Sequence, residues 1–269
     1  MSPLKVACSI KENVIKAGEE IIKKLLKESK DSDHFFFSVT DSYKEPNLVR
    51  EVFLKETEGK NLIFGVVSSG AIITSDGFYK KGVIGGRFRS EKLRIEPVLI
   101  EGGSKNLYQK IRESLFYLRS RKNHHKLLVL IFVDDGFYYK KSLFKHIAKS
   151  AEEAEIEVVG GFVGESKENT DESGIYYNTR ITEKSMLLLG LFKEGDFSIK
   201  IFEDEYEDDE RNTGSIIIGK PFVDYKERTK AKEFFSKHPF IGIGTSAQFY
   251  HLPPQKKGLF EESILRIDL

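Results

Sequence analysis

Apolar residues in this chain recur with two periods. Val14, Gly18, Ile21, Ile22, Leu25 and Leu26 fall at helical spacing and predict an amphipathic helix over residues 12–29. Phe35–Thr40 is a compact, mostly apolar run ending in Asp41-Ser42, the pattern of a strand buried on both faces. Pro46 suits the first turn of a second helix, with Leu48, Val49, Val52 and Phe53 facing inward, and Gly59 is placed to stop it. Asn61–Ser68 reads as a second buried strand. Ala71–Thr74, Gly82–Phe88 and Leu93–Ile100 read as further strands, paired antiparallel.

The order then starts again. Ser104 is a suitable N-cap for a third helix whose inner face carries Leu107, Ile111, Leu115 and Leu118. Leu127–Val133 is a buried strand leading to Asp134-Asp135-Gly136, and Leu143, Phe144, Ile147, Ala148, Ala151 and Ala154 line a fourth helix. Ile156–Phe162 is a strand closing on glycines, followed by a short strand at Ile175–Thr179. Ser185–Phe192 and Phe197–Phe202 read as a hairpin turned by Lys193-Glu194-Gly195-Asp196. Asp41 precedes Asp135 by 94 residues, and Gly70 precedes Gly164 by the same interval. The expected fold is therefore α/β, two αβαβββ units with approximate internal twofold symmetry and mixed sheets. The halves run over about 10–103 and 104–203. Residues 204–269 form an acidic loop and a C-terminal extension on the main domain, with strands at Ser215–Ile218 and Phe240–Ile243 flanking a helix near 226–236.

Composition narrows the function classes. Lys and Arg total 43 against 42 Asp and Glu, a net charge of +1, which argues against a nucleic-acid binder. The single Cys8 excludes an internal disulfide framework and a multi-cysteine zinc site, and fits a reducing compartment. The longest apolar run, Leu127–Val133, is far short of the roughly 20 residues of a membrane helix. With no secretory leader at its start, the chain is expected in the cytoplasm. Absence of Trp and scarcity of Met, Gln and Cys predict a thermophilic source, although a Lys-rich, AT-rich genome gives the same composition.

No residue cluster announces an enzyme. Gly242-Ile243-Gly244-Thr245-Ser246-Ala247 matches a dinucleotide pattern, but no room remains for the helix and strand that pattern needs. The strand ending in Asp134-Asp135 resembles the acidic end of a receiver-domain strand, yet the later strand lacks the aspartate to be phosphorylated. Ser68-Ser69 does not fit the GxSxG elbow of hydrolases. His124 and His125 are adjacent and point apart. No catalytic residue, metal or cofactor is expected.

Two stretches, 62–88 (LIFGVVSSGAIITSDGFYKKGVIGGRF) and 126–147 with 157–166 (KLLVLIFVDDGFYYKKSLFKHI and EVVGGFVGES), resemble the FIST family, the N-terminal sensory domain of prokaryotic signalling proteins and some F-box proteins. The likeness extends over roughly 10–203. Ala71 stands where that family often has glutamate, and the family's usual C-terminal companion domain has no counterpart here. The resemblance implies a sensory module for small ligands, amino acids or related small carboxylates, that reports to a separate signalling protein. It leaves a homodimer open. The alternatives are a hydrolase-like enzyme acting on a small molecule and a non-catalytic adaptor.

The residues themselves suggest where a ligand would sit. Strand ends with glycine turns expose backbone amides that suit a carboxylate, and aspartates suit an ammonium group. The expected ligand-binding residues are Ser68, Ser69, Gly70, Arg87, Asp134, Asp135, Gly161 and Gly164, gathered between the two halves, with Arg87 available to an anion.

Overall fold

The computed structural model describes the chain apart from residues 1–3, 31, 69–71, 75–76, 90, 92, 102–105, 135–141, 164–173, 182–183, 202–214, 220–239, 245–248, 253–259 and 262–263. Its first run of elements is β1 (Leu4–Ser9), α1 (Val14–Leu26), β2 (His34–Thr40), α2 (Leu48–Glu56), β3 (Leu62–Ser68), the hairpin β4 (Ile72–Thr74) and β5 (Gly77–Tyr79), and β6 (Val83–Phe88). The second run is β7 (Arg94–Glu101), α3 (Leu107–Ser120), β8 (Lys126–Asp134), α4 (Ser142–Ala154), β9 (Glu157–Val163), the hairpin β10 (Ile175–Tyr177) and β11 (Arg180–Ile181), and β12 (Ser185–Lys193). The C-terminal part supplies β13 (Ser198–Ile201), β14 (Ser215–Gly219), β15 (Phe240–Gly244), β16 (Phe249–Leu252), β17 (Phe260–Glu261) and β18 (Ile264–Asp268). The helix expected near 226–236 and the Ser104 cap lie outside the described residues.

Local chemistry explains the helix ends. Asn13 Oδ1 accepts from the Lys16 amide at 2.9 Å, satisfying one of the donors a helix start leaves open. Gly59, at φ +68, ends α2 as its glycine predicts, its amide reaching Leu54 O at 3.1 Å.

Two mixed sheets carry the fold. The first has the order β1-β6-β2-β3-β10-β11, the second β17-β16-β9-β8-β12-β7. Read from β7, the second repeats the first: opening strand, closing strand, second strand, third strand, then a hairpin. β2 and β3 are parallel, as are β8 and β9, and β6 and β12 run antiparallel to their neighbours. This correspondence is consistent with an internal duplication.

The repeating run differs in two places from the αβαβββ reading. Each run opens on a strand, β1 or β7, so Leu93–Ile100 does not close the first half. Instead β7 pairs with β12 in the second sheet, Ile95 opposite Leu191 and Ile100 opposite Met186. The expected hairpin of 185–192 with 197–202 is also absent: β12 is flanked by β7 and β8, and β13 pairs with β18.

The layers follow from which faces are apolar. Phe35, Phe37, Ile63 and Val83 point to one side of the first sheet, where Ile21, Ile22 and Leu25 of α1 and Val49 and Phe53 of α2 cover them. Val129, Ile131, Leu188 and Phe192 meet α3 and α4 in the same way. The opposite faces, with Phe36, Phe64, Ile84 and Phe88 on one sheet and Leu128, Leu130, Phe132 and Leu189 on the other, form the central core. Phe36 and Phe132 stack across it at 6.1 Å. The result is an αββα sandwich. Each buried Phe, Leu or Ile contributes about 1.5–3 kcal/mol relative to exposure. The C-terminal sheet, β13-β18-β14-β15, adds Ile216 and Ile267 to the same core.

Candidate functional site

A ligand finds no room at the centre of the sandwich. Among the described residues the cavity there is about 10 Å³, lined by Phe36, Phe64, Phe88, Leu130, Phe132 and other apolar side chains. A void of that size and lining stays dry. The polar residues collect instead at the carboxyl ends of the parallel strands, where open α/β sheets present their ligand crevices.

There the two runs are stitched together. Asp134, the last residue of β8, is 7% exposed, and its Oδ2 accepts from the Gly174 amide at 2.9 Å. Gly174 in turn accepts from the Val67 amide of β3 at 2.9 Å. One glycine thus ties the end of β8 to the end of β3. Hairpin β10–β11 follows it onto the first sheet, Ile175 opposite Val66 and Tyr176 opposite Gly65. Asn178 fastens the turn, its Oδ1 accepting from the Ile63 amide at 3.0 Å and its own amide donating to Ile63 O at 2.7 Å. Arg50 Nη1 donates to Thr179 O at 2.8 Å.

Ser68 closes β3, is fully buried and lies opposite Thr40 in the ladder. Thr40 holds the place in the first sheet that Asp134 holds in the second, each opposite the final residue of the third strand. Its Oγ1 accepts from the Gly82 amide at 3.1 Å and meets Ser42 Oγ at 2.9 Å. Two residues earlier, Ser38 is fully buried and its hydroxyl has no hydrogen-bond partner among the described residues. An orphaned buried hydroxyl costs about 1–3 kcal/mol, so its persistence asks for an explanation. Ser38 shares the alternation of Phe36 and Thr40 and so lies on the face of β2 turned to the central core.

Of the expected ligand-binding residues, Ser68, Asp134 and Gly161 lie on the facing sides of the two sheets, Gly161 being opposite Phe132 and Phe249. Ser69, Gly70, Asp135 and Gly164 lie outside the described residues. Arg87 is elsewhere. It pairs with Phe35 near the start of β2, at the far end of the sheet from Ser68. It is fully buried, and Nη1 donates to Leu25 O at 2.9 Å and Lys27 O at 2.8 Å, with Asp33 Oδ2 3.5 Å from Nε. Arg87 therefore caps the C-terminus of α1, where a cation meets the helix dipole. Burial lowers its pKa, against the opposing pull of Asp33.

Sequence reasoning missed Gly174, Ser38 and Thr40. Their only signal was a glycine and two hydroxyls inside or beside apolar runs, which local patterning reads as ordinary strand residues.

A second concavity, about 670 Å³ and open to solvent, runs along β7 and α3 with Glu101, Lys110, Glu113, Tyr117 and Arg180 on its walls. Its charges are of both signs and face solvent.

Compared with known families, residues 33–205 match the FIST N domain. The chain belongs to the FIST family. The FIST N domain is generally a sensory domain for small ligands, and here it spans the strand ends joined by Gly174. No C-terminal companion domain is detected in this FIST protein. A comparison with curated proteins finds no match. Among the described residues, no helix is long and apolar enough to cross a membrane.

Proposed function

We propose that this FIST protein binds a small zwitterion or carboxylate, of the amino-acid type, at the joined strand ends, and that a separate signalling chain reads the bound state. The observation that carries the reading is a buried carboxylate, Asp134, on the inner face of one sheet and, on the inner face of the other, a fully buried hydroxyl, Ser38, that has no hydrogen-bond partner among the described residues. Ser38 joins Ser68, Ser69, Gly70, Asp134, Asp135, Gly161 and Gly164 in the proposed site. The glycine turns offer amides to the ligand's carboxylate, and Asp134 with Asp135 offers negative charge to its ammonium group. A buried charge-assisted hydrogen bond contributes roughly 1.5–3 kcal/mol, so two or three give roughly 3–9 kcal/mol against the cost of ordering the ligand. Family membership supports the sensory class, and the chemistry of the strand ends supports the ligand class.

A thermal-shift screen of amino acids and small carboxylates tests this. A ligand at 100 times its Kd stabilises the fold by about 2.7 kcal/mol. The melting temperature then rises by roughly 5–10 °C. The rise should vanish in Ser38→Ala and Asp134→Ala. A silent screen, or a hit that shifts both variants as it shifts the wild type, refutes the site.

A further inference from the structure

β7 is the last strand of the second sheet and pairs with β12. The concavity of about 670 Å³ runs along its outer side, lined by five consecutive residues, 97–101. Neighbours in a strand point to opposite faces, so a lining that takes every residue in turn is the edge of the strand, backbone included. The elements on either side of that edge are the walls. α3, which covers the outer face of the second sheet, contributes Lys110, Glu113 and Tyr117. β11, the last strand of the first sheet, contributes Arg180.

Pro97 fixes which backbone groups face this slot. It stands opposite Leu189 in an antiparallel ladder and has no amide hydrogen to give β12. A proline within a sheet sits where its nitrogen faces away from the neighbouring strand. In such a ladder the amide and carbonyl of one residue point the same way, and the direction alternates along the strand. Leu99 and Glu101 therefore turn amide and carbonyl into the slot, while Val98 and Ile100 turn theirs to β12. Among the described residues nothing pairs with the outward groups of Leu99 and Glu101.

Size and shape select the occupant. Five residues of strand run about 17 Å, so the slot has a section of about 40 Å². One strand inside packed sheets takes up roughly 4.8 Å by 10 Å, a similar section. A second folded copy does not fit, because its own β7 lies between the same two walls and the walls meet before the strands do. An extended segment carries no walls. Charge narrows the choice further. Lys110 and Arg180 are exposed and stand on opposite walls. The carboxylates are placed otherwise: Glu113 Oε1 accepts from Gln109 Nε2 at 2.7 Å, and Glu101 is the last residue of β7.

We infer that the open edge of β7 is a strand-addition site for an extended acidic segment of a partner protein. The guest bonds through its backbone to Leu99 and Glu101 and through carboxylates to Lys110 and Arg180. Main-chain bonds hold such a guest and the side chains on the walls select it. The slot shares no residue with the strand-end site, so the docking holds whatever ligand that site takes.

The peptide Thr-Val-Glu-Glu-Val-Thr, blocked at both ends and fluorescently labelled, tests this on the full chain. Its consecutive glutamates point to opposite faces and so address both walls. Anisotropy should show saturable binding, and the counterpart with two lysines should bind at least roughly tenfold more weakly. At saturation the amides of Leu99 and Glu101 should exchange roughly tenfold more slowly, while those of Val98 and Ile100 are unchanged. Leu99→Pro removes an outward donor and should abolish binding. Should that variant not fold, Lys110→Glu with Arg180→Glu carries the test and should reverse the preference between the two peptides. Absence of saturation at millimolar peptide, protection at Val98 and Ile100 instead, or a preference that the charge reversal leaves intact overturns the inference. So does a dimer that protects Leu99 and Glu101 without peptide, which gives the edge to a second copy.

Discussion

Gly65→Ala is the sharpest test of how the first sheet holds its hairpin. The new methyl would stand 2.7–2.8 Å from three carbons of the Phe37 ring. Optimal carbon contacts lie near 3.5–4.0 Å, so the ring must move by roughly 1 Å. It has little room: Phe53 lies 5.2 Å away and Tyr176 5.6 Å away, centroid to centroid. Forcing a methyl into such packing costs typically 1–3 kcal/mol. Losing a glycine from the unfolded chain returns about 0.4–1 kcal/mol. A net loss of about 1.3 kcal/mol corresponds to about 3–5 °C in Tm for a chain of this size. Urea denaturation of the variant, read alongside its Tm, supplies the number. Phe37→Leu is destabilising alone but makes room for the methyl, so the double variant should be more stable than the two single losses predict. A neutral Gly65→Ala, or strictly additive effects in the cycle, would refute the packing argument. Gly160→Ala should be worse and beyond rescue by any side-chain change, because its methyl meets a backbone oxygen.

Other expectations follow from single contacts. Asp134→Ala leaves the Gly174 amide without its carboxylate, and should cost about 1–3 kcal/mol and speed amide exchange at Gly174 and Val67. Arg87→Met strands Asp33 and the carbonyls at the end of α1, and should cost about 3–5 kcal/mol, part of it recovered by adding Asp33→Asn. Glu20 accepts from Lys24, Lys11 and Ser9, which together hold its pKa down to about 2. Because the folded pKa is depressed, this stabilisation is complete above the ordinary carboxylate pKa and disappears as pH falls toward 2. Glu20→Gln should therefore lower stability by about 1 kcal/mol at neutral pH, and the difference should close in acid denaturation below about pH 4.

Much of the architecture was legible in the sequence because it is local. The four amphipathic helices and the buried runs at Phe35, Asn61, Leu127 and Ile156 declare themselves by period and length. What escaped was long-range pairing. Residues 4–9 are short and only partly buried, so their pairing with β6 left no periodic trace. Lys193-Glu194-Gly195-Asp196 has the chemistry of a tight turn, but both edges of β12 were already filled by β7 and β8. Leu93–Ile100 follows β6 in sequence and pairs in the other sheet. The VIGGRF strand suggested an exposed approach for Arg87. Gly85 instead lets Ile21 and Leu25 of α1 pack directly on β6, a Cβ there lying 2.6 Å from Ile21 Cγ2, and Arg87 reaches the helix end. At the candidate site the sequence pointed to the aspartate and the strand-end glycines. It was blind to Gly174 and Ser38, whose significance comes only from what folding sets beside them.

In the proposed binding mode a small ligand enters at the strand ends where β3 and β8 are joined. Titrating the best thermal-shift ligand into isotopically labelled protein and following amide resonances tests it directly. Binding there shifts resonances chiefly at Ser38, Val67, Ser68, Asp134 and Gly174. Shifts concentrated along β7 and α3, at Glu101, Lys110, Glu113 and Arg180, would place the ligand in the open groove and contradict it.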